Sequence, residues 1–290
     1  MMKLALERRS IALYVDVARA SARDLAREIA ESFQKRSFTV AACGGQERAL
    51  EFVDDGVSAD EASLFITVGG DGTLLRAARI ATENNVPLLG VNTGRLGFLT
   101  ELDAGDSRIA ELPAMVEEGL VIDERSALEA EYDGHRYFAL NDVVVRKGDV
   151  SRIVPFGLKL DSEHIADIPA DGICIATPTG STAYFLSAGG PIISPRVDAF
   201  GIVPLLPHTL FSRPLIVPGS SRIEISSDSE VAHAHLECDG DVLAVIAPDS
   251  CVSIRRNPKT VRFARLAPLR FFERLEQKMR WGVSIKATSR

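Results

Sequence analysis

Residues 65–78 read "FITVGGDGTLLRAA". A short apolar run enters two glycines, an aspartate, a third glycine and a threonine, and helical spacing follows over 73–83. Ligands of open α/β sheets bind outside the carboxyl ends of the strands, and this turn sits at such an end. Gly69, Gly70 and Gly72 are expected to permit positive φ and close approach of backbone amides. Thr73 is the expected N-cap of a helix whose first turn attracts phosphate. The turn is not a Walker A loop, because neither GKS nor GKT occurs in the chain. Nor is it the dinucleotide GxGxxG, since Leu75 stands where the third glycine would be.

Asp71 is the residue that phosphate binding alone does not explain. A carboxylate beside phosphates can take the proton of an attacking hydroxyl or hold magnesium, and both roles belong to phosphoryl transfer. The plain alternative is an Asx turn in which Asp71 caps the helix.

Around this turn strands and helices alternate. "IALYV" (11–15), "FTVAAC" (38–43), "LFITV" (64–68) and "VPLLGV" (86–91) read as strands. "ASARDLAREIAESFQKR" (20–36) reads as a helix with Leu25, Ile29 and Phe33 on one face, and a further helix falls within 107–119. The fold class is therefore α/β with a mainly parallel sheet over residues 1–123. From residue 124 the style changes to strands and turns, opening with an Asp-Gly hairpin signal at 133–134. Residues 124–258 form a β-rich domain, and 259–290 a tail with a helix in "LRFFERLEQKMRWG" (269–282).

The chain has 290 residues, 46% hydrophobic and 25% charged, with net charge −7. That balance argues against a nucleic-acid binder or an anionic-membrane binder. Cysteines 43, 174, 238 and 251 form no CxxC pair, so neither a zinc site nor a disulfide framework is expected. The start, "MMKLALERRS", lacks the apolar core of a signal peptide, and a cytoplasmic protein with reduced thiols is expected.

A second strand–turn–helix unit lies in "DGICIATPTGSTAYFLSAGGP" (171–191). "TPTGST" gathers hydroxyls, and Ser181 or Thr182 is the expected cap of a helix running to about Ala188. Tyr184 and Ser187 share a face of that helix, where an exposed tyrosine would stack on a base and a buried one would only pack. In "FALNDVVV", Asn141 and Asp142 interrupt an apolar strand. They grip a ribose if the strand bends there, and otherwise mark a strand start after a turn. Asp171 precedes another apolar strand, and "CDGD" (238–241) reads as a hairpin turn. His233 and His235 share a strand face but have no third ligand, so no metal site is assigned.

Together "GGDGTLLRAA", "GVNTGRLGFL" (90–99), "LNDVVV", "DGICIATPTGSTAYFLSAGGPI" and "PHTLFSRPLIVP" (207–218) resemble the bacterial NAD kinases in order and spacing, over roughly residues 11 to 265. "TPTGSTAY" downstream of GGDGT is the specific signal; GGDGT alone is shared with diacylglycerol kinases, sphingosine kinases and, more distantly, phosphofructokinases. The resemblance implies transfer of the terminal phosphate of ATP, with Mg2+ or another divalent cation, to the 2′-hydroxyl of the adenosine ribose of NAD, and polyphosphate as a donor in some members. It implies an NAD kinase-like fold with the site between the two domains and the tail packing back on the first. It makes Asp71 the catalytic base and Gly70, Gly72 and Thr73 the phosphate loop. Arg76 and Phe98 line the NAD site, and Asn141 and Asp142 match an Asn-Glu motif with the carboxylate one methylene shorter. Arg152 lies near the nicotinamide end, Asp171 matches an acidic position, and Thr182, Ala183, Tyr184 and Ser187 hold the dinucleotide. Asp239 and Asp241 approach the ligand from their turn. Relatives assemble as homodimers or homotetramers, and "GIVPLLPHTL" (201–210) is the segment expected to reach a neighbouring subunit. At Pro169 many bacterial relatives carry an arginine; proline has neither its charge nor a backbone donor. Two rivals are a lipid kinase, which needs a membrane-docking surface, and a non-catalytic NAD(P) sensor, which binds without turnover.

Overall fold

The computed structural model describes residues 3–4, 8–54, 61–94, 97–148, 153–210, 212–227 and 233–280. In chain order the first elements are β1 (Lys3–Leu4), β2 (Ser10–Val15), α1 (Ala20–Gln34), β3 (Thr39–Ala42), β4 (Leu64–Val68), α2 (Asp71–Glu83), β5 (Leu88–Asn92), β6 (Leu102–Asp103), α3 (Leu112–Glu118) and β7 (Leu120–Arg125). Next come β8 (Leu128–Tyr132), β9 (His135–Ala139), β10 (Asp142–Lys147), β11 (Val154–Leu160), β12 (Glu163–Ala170), β13 (Gly172–Ala176) and α4 (Tyr184–Ser187). Then follow β14 (Ala199–Leu205), β15 (Leu215–Pro218), β16 (Ile223–Ser227), β17 (Ala234–Cys238), β18 (Asp241–Ile246) and β19 (Cys251–Arg256). The last described elements are β20 (Val261–Arg265) and α5 (Phe271–Met279). It divides into two compact units, residues 1–124 with 262–290, and residues 125–261.

The first unit is built on a sheet of order β1-β7-β20-β5-β4-β2-β3, with β6 paired to β5. The neighbours from β3 through β2, β4 and β5 to β20 run parallel. Every residue of β4 and β5 is buried, as a central parallel strand covered on both faces requires. α1 lays Leu25, Ile29 and Phe33 onto Ile11, Leu13, Ile66 and Val68. From β2 the chain first turns to β3 on one side and then to β4 on the other. That reversal is the topological switch point, where open α/β sheets bind ligands, and the glycine turn follows β4 directly.

The second unit has two six-stranded antiparallel sheets, ordered β15-β14-β13-β10-β17-β18 and β12-β11-β16-β19-β8-β9. Val143, Val145, Ile173, Ile175 and Leu236 of the first sheet share a core with Phe156, Leu158, Ile225, Val252 and Ile254 of the second. The alternate residues Val144, Cys174 and Ala176 face outward and are covered by Phe185 of α4 and by Ile193. Pro169 sits in β12 at a sheet edge, where a missing N–H costs no ladder bond.

The helix expected within 107–119 is α3, preceded by a 3₁₀ turn at Ser107–Ile109 in which Asp106 accepts from the Arg108 N–H. One helix differs from expectation. The one over 181–188 is a 3₁₀ turn at Gly180–Thr182 followed by the single turn α4, with no side-chain cap on either. Ser181 is drawn away from capping because its Oγ is fully buried: it donates to Pro178 O at 2.7 Å and accepts the Ile193 N–H at 2.9 Å. Among the described residues no helix is long and apolar enough to cross a membrane.

Candidate active site

In the first unit, α2 starts at Asp71 with Gly70 as its N-cap. Thr73 is therefore not the cap but a buried residue of the first turn. None of Gly69, Gly70 and Gly72 has a positive φ, so conformational freedom is not why they are glycine. A Cβ on Gly69 would stand 2.4 Å from Thr73 Oγ1, whereas a Cβ on Gly70 or Gly72 would meet nothing. Gly69 is needed for close packing; the other two leave bare, open backbone at the head of a helix.

Asp71 caps nothing. Its Oδ2 accepts the Phe98 N–H at 2.9 Å and its Oδ1 the Leu99 N–H at 3.3 Å. The carboxylate lies so close over Gly97 that a Cβ there would be 2.0 Å from Oδ1. The Gly97 N–H donates to Thr100 Oγ1 at 2.9 Å, closing the loop. The C-terminal segment holds the same loop from its carbonyl side. Arg274 donates to Phe98 O at 2.9 Å and Thr100 O at 2.8 Å, and Arg265 to Leu99 O at 2.7 Å. Arg76 is exposed further along α2. The result is a half-buried carboxylate fixed by main-chain donors beside open amides, suited to receiving a proton next to bound phosphate.

In the second unit, register gathers one group of the expected residues. Asp142 pairs with Ala176 across β10 and β13, and Val143 with Cys238 across β10 and β17. The junction 140–142, the turn after β13 and the β17–β18 turn therefore meet at one end of the sheet. Asn141 lies in the break between β9 and β10, and Asp142 opens β10, the strand start that was the plain alternative. Thr177 ties the junction down: its N–H reaches Asn141 O at 2.9 Å and its Oγ1 reaches Leu140 O at 2.6 Å. Gly180 rests on the Asn141 backbone, where a Cβ would stand 2.0 Å from Asn141 O. Thr182 donates to Thr179 O at 3.3 Å, and Ala183 links the 3₁₀ turn to α4.

"CDGD" is a hairpin turn with positive φ at Asp239 and Gly240, and it does more than turn. Asp239 accepts N–H bonds from Leu140 at 2.8 Å, Asn141 at 2.7 Å and Asp142 at 3.2 Å. Burial pushes its carboxyl up to about 6, against those three donors. Burial, then the charges of Asp239 and Glu237, push Asp142 up to about 7. Asp239, holding the amides, is the member of the pair that ionises first. Asp241 opens β18 in an exposed position.

At the other end of the same sheet a cavity of about 480 Å³ is lined by Arg146, Lys147, Asp171, Tyr184, Ser187 and Leu206, among others. Lys147 Nζ lies 2.6 Å from Asp171 Oδ1, and Arg146 pairs with Glu237. Tyr184 is 48% exposed, so the buried alternative does not hold. Its phenol is raised mainly by burial. In the segment 201–210 Leu206 is largely exposed at the cavity rim and Leu210 fully so, and the His208 N–H donates to Pro169 O at 2.8 Å. Arg152 lies outside the described residues. The sequence alone did not single out Gly97, Lys147, Thr177, Gly180, Arg265 or Arg274. Only Gly97, Thr177 and Gly180 fall inside the conspicuous glycine- and threonine-rich motifs.

An α/β unit with a carboxylate at its switch point, paired with a β-sandwich carrying a polar pocket, defines a two-domain nucleotide phosphotransferase, and the family models name it. Residues 3–119 match the ATP-NAD kinase N-terminal domain and residues 140–266 the ATP-NAD kinase C-terminal domain. The chain belongs to the NAD kinase family. It is 42% identical over 224 residues to an NAD kinase of Gemmatimonas aurantiaca, covering 75% of this chain and 77% of that one. It is 38% identical over 245 residues to an NAD kinase of Aromatoleum aromaticum, covering 83% and 80%. Two solved structures share the fold. One is yeast NADH kinase complexed with NADH, with TM-score 0.82 and 22% identity over 97% of this chain and 90% of that one. The other is an NAD kinase from Archaeoglobus fulgidus in complex with ATP, with TM-score 0.72 and 24% identity over 93% and 98%.

Proposed function

We propose that this protein transfers the terminal phosphate of ATP to the 2′-hydroxyl of the adenosine ribose of NAD, giving NADP and ADP. The observation that carries the chemistry is Asp71, held at the sheet's switch point by the Phe98 and Leu99 amides. As the ribose oxygen attacks, its O–P bond forms, the bond from phosphorus to ADP breaks, and the hydroxyl proton passes to Asp71. The open amides around Gly70 and Gly72 at the head of α2 receive phosphate oxygens, and Arg76 offsets negative charge nearby.

Asn141 and Asp142 grip the ribose hydroxyls, while Asp171, Thr182, Ala183, Tyr184 and Ser187 hold the rest of the dinucleotide, with Tyr184 exposed for stacking on a flat ring. Asp239 acts through the 140–142 backbone, because its carboxylate is already committed to three amides. A divalent cation supplies charge neutralisation on the transferring phosphoryl group when bound. Magnesium asks for only one or two carboxylates beyond phosphate and water. Asp71, at the head of α2 beside the open amides of Gly70 and Gly72, is the carboxylate that would be available to such a cation arriving with ATP.

The test is turnover of NAD with Mg-ATP, read by an NADP-specific dehydrogenase, with polyphosphate and NADH as alternative substrates. Wild type is expected to form NADP and Asp71→Asn to lose at least about 100-fold in kcat. A folded Asp71→Asn protein with full turnover would remove the base assignment. NAD binding without any product would favour the sensor.

A further inference from the structure

We propose that Arg274, on the C-terminal helix α5, is a positioning residue that holds and polarises Asp71 through the Phe98–Leu99 peptide. This rests on the reading of Asp71 as the base. The N–H that meets Asp71 Oδ1 is that of Leu99, at 3.3 Å, and the carbonyl of the same peptide plane is Phe98 O. Arg274 Nη1 donates to that carbonyl at 2.9 Å and to Thr100 O at 2.8 Å. A guanidinium, one peptide unit and the carboxylate therefore form a single hydrogen-bonded chain. Bonds in such a chain strengthen one another. The cation makes the Leu99 N–H a better donor toward Asp71 Oδ1, while its second bond fixes the loop's curvature.

Arg265 is the other candidate, and its charge is directed elsewhere. It is 1% exposed and shared between Glu101 at 3.2 Å and Asp123 at 3.5 Å. Arg274 approaches Glu101 only to 4.0 Å. Among the described residues, Arg76 is exposed on α2, the helix that carries Asp71, and Asp16, after β2, is paired to Arg19 at 3.1 Å. The other residues of α5 are exposed or partly exposed, and only Leu275 is buried. The largely covered Arg274 thus carries the helix's hydrogen bonds to the loop.

The experiment compares Arg274→Ala and Arg274→Lys with wild type in the full chain. It measures kcat and KM for NAD and ATP, with thermal midpoints alongside. Arg274→Ala is expected to lower kcat roughly 10- to 100-fold. Both KM values should stay within about twofold. Arg274→Lys, which keeps the cation, is expected to return most of kcat. An unchanged kcat, or a loss confined to KM and thermal midpoint, overturns the proposal, as does a lysine variant no better than alanine. If Asp71→Asn is inactive while Arg274→Ala behaves as wild type, only this proposal falls. If Asp71→Asn is active, the base reading falls and takes this proposal with it.

Discussion

Asp142 shows what a single residue in this site costs. Only 4% exposed, it keeps its proton to about pH 7 because burial, Asp239 and Glu237 all disfavour its charge. An unfolded chain releases that proton near pH 4. Between those values the native state binds a proton that the unfolded state has lost, so stability falls as pH rises, by about 1.4 kcal/mol per unit for one proton. Asp142→Asn removes the titration while keeping the shape. Without NAD it is expected to be more stable than wild type at pH 8, with the difference shrinking as pH falls and vanishing only near pH 4, as read from urea midpoints. A variant less stable than wild type at pH 8 would show that the carboxylate is not strained. The sequence shows Asp142 as out of place in a strand, but not the cause of its strain, because Glu237 and Asp239 reach it from β17 and the turn after it, almost a hundred residues later. The same limit applies at Asp71. A carboxylate among glycines is visible in the sequence; the need for Gly97 beneath it is not.

At the scale of elements, strands and the long helices are legible because each carries one period. β4 falls on 64–68 as expected, and Leu25, Ile29 and Phe33 form the buried face of α1. The glycine- and hydroxyl-rich turns misled for a shared reason. A Thr or Ser before a helix reads as a cap, yet Thr73 and Ser181 are both buried and used in packing or in bonds to other loops. Composition reports which side chains are available, not which partner wins. The turn after β13 illustrates this at Gly180, whose missing Cβ lets the turn sit on the backbone of Asn141. Backbone atoms at 2.0 and 2.4 Å cannot rotate away as a side chain can. Gly180→Ala is expected to cost at least about 2 kcal/mol. It should also weaken NAD binding by lifting the turn from the 140–142 junction. Thermal unfolding and a binding titration read the two effects, and unchanged values in both would show that the junction tolerates movement.

Over the whole molecule, the chain completes its first sheet only after building the second unit. β20 lies between β7 and β5, with Phe263 fully buried and paired to Leu88. The sequence marks a tail, but its hydrophobic pattern cannot say that the tail's first strand belongs inside the sheet. Such long-range pairing is entropically slow to form. A fragment of residues 1–124 lacks this strand, leaving the β5 edge covered only by the two-residue β6 and β7 without its inner neighbour, which invites aggregation. Residues 126–258 are contiguous and contain both sheets of the sandwich, with the Asn257 N–H bonded to Ala127 O at 2.9 Å near its two ends. That closeness is typical of an inserted unit able to fold alone. Expressed separately, 126–258 is expected to unfold cooperatively in urea, and 1–124 to be insoluble or non-cooperative. Joining 1–124 to 259–280 through a short glycine-serine linker, which the nearby ends permit, is expected to restore a cooperative transition. Cooperative unfolding of 1–124 alone would mean that β20 decorates the sheet rather than completing it, and Arg265 and Arg274 would then lose the rigid base from which they hold the Asp71 loop.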